Sequence, residues 1–296
     1  MFSYAPPDLP PASALVVVLH GCEQTAEDYD RGAGWSALAE REGFALLFPQ
    51  QQPQNNANSS FNWFRPDDIG RGVGEALSIQ QMTEDMIVSN GIDRRRVFVT
   101  GFSAGGAMAN VMLAAYPDVF AAGAIIAGLP YGAAGSDEEA VRSMQRPAAR
   151  TPREWGAQVR AAFLPKAPWP RVAVWHGAAD TTVVPANADA LLTQWLDVHG
   201  IETPAVSKPG RPTVSHRIWR DAEGRVRVED HRIAGLAHGA PVRIIGPGRG
   251  VAGPFFLDVG ISATLDIAHS WGLVAAEPKR GTVQSAALRR GTAPQY

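Results

Sequence analysis

Short, uninterrupted apolar runs alternate along the chain with longer stretches in which apolar residues recur at helical spacing. Ala14 to Leu19 (ALVVVL) is the first such run, and a strand buried on both faces has this composition. A polar turn and a helical stretch through Trp35, Leu38 and Ala39 follow, and Gly43 supplies a stop before a second run, Phe44 to Phe48 (FALLF). The rhythm continues through Val97 to Thr100, Ala121 to Ala127 and Val172 to Trp175 as strands. Helices are predicted at Ala76 to Asn90, Ala104 to Ala115 and Asn187 to His199. Val214 to Trp219 and Arg225 to Ile233, joined by Asp221 to Gly224, alternate like a hairpin, and a last helix is predicted near Ile261 to Trp271.

Strand–helix–strand repetition implies parallel pairing through right-handed crossovers, hence an α/β fold with helices on both faces of a mostly parallel, doubly wound sheet. Two segments interrupt the rhythm. Residues 49 to 75 form a long polar stretch carrying Phe61, Trp63 and Phe64, and a loop of that length in a compact domain is usually functional or disordered; its aromatic cluster favours order. Residues 131 to 168 read as a helical insertion, with helices around Glu138 to Met144 and Glu154 to Phe163. We see no repeat and no linker, so residues 1–274 are read as one domain, and the small, polar residues 275–296 as a disordered tail.

The chain has 296 residues, 45% of them apolar, which suffices for one large core. A formal charge of -2 gives no electrostatic reason to expect nucleic acid or an anionic membrane as partner. No window of about 18 apolar residues exists, so no membrane span is expected. The opening MFSYAPPDLPPASA has no cationic segment ahead of an apolar stretch, so no secretory signal is visible. Cys22 is the one cysteine, which excludes an intrachain disulfide, and the seven histidines show no metal-ligand spacing, so no structural metal is expected.

The sharpest chemical signal is Gly101-Phe102-Ser103-Ala104-Gly105, after the VFVT strand and before a helix. The bare pattern is common by chance; its placement carries the weight, the alternative being a glycine-rich packing turn. A serine hydroxyl attacks only when it is exposed, rigidly held and next to a base, and a tight strand-to-helix turn supplies the first two conditions. The helix from Ala104 also directs free N–H groups at developing negative charge.

The base is expected late in the chain. His20 and His176 end strands, and His199 lies in a last helical turn, where a cation suits the dipole. His216 lies on the Val214 and Ile218 face of its strand and reads as packed, His231 points outward by alternation with Val226 and Val228, and His269 is within a helix. His238, on the loop Gly235-Leu236-Ala237-His238-Gly239 after the last hairpin strand, is the candidate base. Asp180, one short turn beyond the VAVW strand, is the candidate orienting carboxylate, against an ordinary acid at a helix start. The order Ser103, Asp180, His238 is that of α/β-hydrolases. Backbone N–H groups of Ala104 and Cys22 are the candidate oxyanion donors, and Trp63 and Phe64 are candidates to line the site, with core packing the alternative.

With these residues in view, the chain resembles the poly(3-hydroxybutyrate) depolymerase-type esterases, related to bacterial feruloyl and acetylxylan esterases. The resemblance is carried by LVVVLHGCEQ (15–24), FNWF (61–64), RVFVTGFSAGGAMA (96–109), AIIAGLPYG (124–132), VWHGAADTTVVPANA (174–188), GLAHGAP (235–241) and GPFFLDVGISATLDIAHSWGL (253–273). It implies an α/β-hydrolase without metal or organic cofactor that cleaves carboxylic esters of hydroxyalkanoates, with feruloyl or acetylxylan-type esters as the alternative. A non-catalytic α/β-hydrolase scaffold is the third reading, disfavoured because the triad candidates are all present. By resemblance Ser103, Asp180 and His238 fall on the family's triad positions, Cys22 falls on its oxyanion loop, and an extracellular location is expected. Relatives often carry a second cysteine just before the FNWF-like segment; Ser60 stands there, which leaves Cys22 unpaired.

Overall fold

The computed structural model describes residues 1–163, 168–208, 211–246 and 248–274. The predicted tail, 275–296, lies outside the described residues. Eleven strands are described: β1 (Phe2–Tyr4), β2 (Leu15–Leu19), β3 (Ala45–Phe48), β4 (Val97–Phe102), β5 (Ala122–Ile126), β6 (Arg171–Gly177), β7 (Val206–Lys208), β8 (Val214–Arg220), β9 (Val226–Ile233), β10 (Ala240–Val242) and β11 (Phe256–Asp258). The α-helices are α1 (Ala26–Ala33), α2 (Trp35–Glu42), α3 (Pro66–Ile69), α4 (Gly74–Asn90), α5 (Ala104–Ala115), α6 (Asp137–Gln145), α7 (Pro152–Ala162), α8 (Ala186–His199) and α9 (Ala263–Ser270).

Nine strands form one sheet in the order β1-β3-β2-β4-β5-β6-β9-β8-β7, and β10 and β11 pair separately. The six strands from β3 to β9 in that order run parallel, while β1, β8 and β7 add antiparallel edges. The fold is an α/β-hydrolase sheet. The chain runs from β2 outward to β3 and then back across to β4, so strand order reverses between β2 and β4. Open α/β sheets bind ligands in the crevice at the carboxyl ends of such a pair. Here those ends carry the His20–Cys22 turn and Ser103.

The apolar runs are continuous because two cores flank the sheet. Leu15, Val17 and Leu19 of β2 join one core, which takes in Ile79 and Met86 of α4, all-buried α5, Trp155 of α7 and Trp195 of α8. Val16 and Val18, facing the opposite way, join a second core with Tyr29 of α1, Trp35 of α2 and Ile267 of α9. Side chains alternate across a strand, so a run with no polar position is what burial on both faces requires.

Two expectations are corrected, and four short strands are added. β1, β7, β10 and β11 are each three residues long, too short to show a hydrophobic period in the sequence. His231 does not point outward: β9 lies between β6 and β8, and its ring stacks on Trp175 with centroids 3.8 Å apart. His199 is not a dipole-matched cation either. Burial brings its pKa down to about 4, with Arg227 acting in the same direction, and its neutral Nε2–H donates to Pro170 O at 3.1 Å.

Candidate active site

Three strand ends converge at the crevice. At the end of β4 the chain turns into α5 through Ser103, whose φ of 53° and ψ of -118° lie outside the ordinary regions for a residue with a side chain. Such backbone costs on the order of 1–3 kcal/mol and persists only where the surroundings enforce it. They do so by close approach: a Cβ on Gly101 would sit 2.2 Å from Gly105 O, and one on Gly105 would sit 2.2 Å from Leu19 O. Packing β2 against the start of α5 therefore needs glycine at both positions, and Ser103 N–H is anchored on Ile126 O at 2.9 Å.

The turn presents Ser103 Oγ to His238, with Oγ to Nε2 at 3.0 Å. On the other side of the ring, Nδ1 lies 2.7 Å from Asp180 Oδ2. Asp180 follows β6 and is buried, and its other oxygen accepts N–H bonds from Thr182 and Val183, both at 2.9 Å. Burial opposes its ionisation; the His238 hydrogen bond and charge and these two N–H groups outweigh it and hold the carboxyl below the usual carboxylate value. An ionised Asp180 accepts the Nδ1–H of His238, which leaves Nε2 as acceptor for the serine hydroxyl.

The donors expected for an oxyanion lie on either side of the same crevice. Ala104 is the first residue of α5, where N–H groups have no intrahelical acceptor. Cys22 N–H follows Gly21, whose own N–H is tied to Gln24 Oε1 at 2.8 Å, and Glu23 N–H is tied to Asn58 O at 2.9 Å. The Cys22 N–H between them makes no hydrogen bond among the described residues. Burial pushes the Cys22 thiol pKa up, so it is held as a thiol.

His20 shapes this loop: its Nε2 accepts Gln51 N–H at 3.1 Å while Nδ1–H donates to Gly21 O at 2.8 Å. Burial keeps the ring neutral, as that tautomer needs. His176 is buried beside Asp180, donates to Val183 O at 2.7 Å and is likewise kept neutral by burial.

Trp63 and Phe64 are 5% and 6% exposed and pack edge-on to one another within the core, which favours the packing alternative for both. Two unanticipated neighbours touch the His238 ring, and a third unanticipated residue, Glu75, stands behind the long polar loop. Phe102 packs on the His238 ring at 4.9 Å, and Phe255, 38% exposed and itself at a φ of 63°, approaches the same ring at 6.2 Å. Glu75 accepts hydrogen bonds from Asn62 N–H at 2.8 Å and Asn62 Nδ2–H at 2.6 Å, and also from Gln51, so it ties together both ends of the long polar loop. Phe102 was visible inside the serine motif; Phe255 and Glu75 have no local sequence signal.

A serine, an imidazole and a carboxylate in hydrogen-bonded sequence on an α/β-hydrolase sheet are the arrangement of the serine hydrolases of that fold. The chain belongs to the family described as Esterase PHB depolymerase, which its residues 2–212 match. It is 44% identical to poly(3-hydroxyalkanoate) depolymerase C of Paucimonas lemoignei, over 93% of this chain and 67% of that protein. It is 33% identical to feruloyl esterase B of Thermothelomyces thermophilus, over 75% of this chain and 78% of that one. Among solved structures, acetyl xylan esterase from Aspergillus awamori superposes with a TM-score of 0.77 at 25% identity, covering 92% of this chain and 93% of that chain. The chain spans about two thirds of the length of the depolymerase it matches.

Proposed function

We propose that Ser103, His238 and Asp180 act as a catalytic triad that hydrolyses carboxylic esters through an acyl-enzyme. The observation carrying this reading is the unbroken hydrogen-bond chain from Ser103 Oγ through His238 to Asp180. His238 Nε2 takes the hydroxyl proton as Oγ attacks the ester carbonyl, and ionised Asp180 stabilises the imidazolium that forms. The backbone N–H groups of Cys22 and Ala104 receive the oxyanion; losing one such donor costs about 3–4 kcal/mol of transition-state stabilisation. The imidazolium then protonates the leaving alkoxide, and in the second half His238 deprotonates a water that releases the acid from Ser103.

The substrate class we infer is hydroxyalkanoate oligo- and polyesters, supported by the 44% identity to a protein named for that activity. The second reading, a feruloyl or acetyl ester of a polysaccharide, is supported by the superposition on an acetyl xylan esterase. The test is a panel of hydroxybutyrate trimer, methyl ferulate and acetylated xylan, with products identified, on the natural chain and Ser103→Ala. Hydroxybutyrate release that Ser103→Ala abolishes without loss of fold is the expected result. Preference for ferulate or acetate turns the assignment to the second reading, and activity retained by Ser103→Ala removes Ser103 from the mechanism.

A further inference from the structure

We propose that His216, Glu229 and His231 form a binding site for a borderline divalent cation of the zinc class, on the β8–β9 side of the sheet. The inference is independent of the ester chemistry at Ser103. His216 and His231 are directly opposed across the antiparallel β8–β9 pair, and Glu229 precedes His231 by two residues, so all three project to one face. His216 Nε2 lies 3.0 Å from Glu229 Oε2, and His231 Nε2 lies 3.7 Å from the same oxygen. The three ligand atoms fall within 4.8 Å of one another.

The donor chemistry selects the ion. Two imidazole nitrogens and one carboxylate suit zinc, cobalt, nickel or copper, whereas calcium and magnesium take oxygen sets.

The local packing favours a site with one fixed ligand and one movable one. His231 is held between Trp175, at 3.8 Å and 4° between planes, and His216, at 4.0 Å and 22°. A metal lies in the plane of each imidazole that binds it, so the stacked rings must splay on loading. His216 is partly exposed and opens onto a cavity of about 380 Å³, which gives it room to turn. The same cavity is also lined by Asp266 and His269 of α9. Lys208 and Arg211 also line it, and Arg211 lies 3.9 Å from Asp266. Their positive charge leaves water or a small anion as the natural occupant of an open position. A bound ion would join β8 to β9, an outcome read in stability rather than catalysis.

The competing account is that the three residues are only a stacked imidazole–carboxylate contact at the sheet edge. The deciding experiment titrates Zn²⁺, and Co²⁺ for its visible spectrum, into the chelator-treated chain by calorimetry, and follows the imidazole resonances of His216 and His231. One ion per chain, perturbation of both rings, a raised Tm and at least about tenfold weaker binding in His216→Ala and Glu229→Gln are expected. Affinity unchanged in both variants, or resonances of His238 moving instead of these two, overturns the site. If a variant fails to fold, the resonances of the natural chain still decide. Thiolate charge-transfer bands with Co²⁺ would assign the ion to Cys22 and also overturn the site.

Discussion

At the scale of single residues, the contact between His238 and Asp180 is where a one-atom change tells most. Asp180→Asn keeps the size and burial of the side chain but replaces an acceptor-only carboxylate by an amide that can meet Nδ1 with its oxygen or its NH₂. With Thr182 and Val183 N–H groups both needing the remaining acceptor, the amide oxygen is drawn to them and the NH₂ turns to the ring. That stabilises the imidazole with its proton on Nε2, where it no longer accepts from Ser103. The expected result is a fall in kcat of about 10⁴-fold with little change in KM, measured on a soluble short-chain ester. A loss below tenfold would show that Asp180 does not set the tautomer.

The element scale separates what local pattern reveals from what it hides. The strands β2 to β6 were legible because burial on both faces leaves a continuous apolar run, and the turn at Ser103 was legible because glycines flank it. Alternation within a hairpin does not reveal which side chains of a neighbouring strand stand beside its polar face; here Trp175, the partner of His231 on β6, stacks on that ring and buries it. The cross-strand contact of His216 with Glu229 and His231 follows from that register rather than from sequence spacing.

Glu75 is the clearest case of hidden design. It lies at the start of α4, yet its carboxylate holds Gln51 and Asn62, and the loop between them supplies Asn58 O to Glu23 N–H beside the Cys22 donor. Burial pushes Glu75 up to about 7 from an ordinary 4.5, with the Asn62 and Gln51 donors pulling against it. A carboxyl with a raised folded pKa stabilises fully below its unfolded value and loses that contribution as pH rises through the folded one. Relative to Glu75→Gln, which cannot titrate there, the natural chain should lose about 2–3 kcal/mol of stability between pH 4.5 and 7 and nothing further above 8. Paired denaturant melts across that range measure it, since other groups cancel in the difference. A constant difference would mean that Glu75 keeps one protonation state throughout.

At the scale of the whole molecule, strand direction divides the labour of stability and chemistry, and β4 shows the division within six residues. Phe98 and Phe102 both face the second core, four residues and so two pleat repeats apart. Phe98 lies near the strand's start and stacks on Trp271 at 4.8 Å and 8°, and Trp271 in turn stacks on Trp35. Phe102 lies at the carboxyl end, against His238. Truncating Trp271 removes a buried aromatic column far from the crevice, so Trp271→Ala should cost about 3–5 kcal/mol and lower Tm by roughly 10 °C. Its kcat at 25 °C should be that of the natural chain, because β4 still ends where it did. Phe102→Ala empties a comparable volume but also frees the imidazole from its wall, and a misplacement of about 1 Å there lowers kcat on the order of 10²-fold while the enzyme stays folded. The two variants should therefore fall in different places on a plot of kcat against Tm, with similar losses of Tm and unlike losses of kcat. Equal losses of kcat would mean that disturbance at the base of the sheet reaches the crevice undiminished, and that the parallel strands do not insulate the proposed triad from the core that carries them.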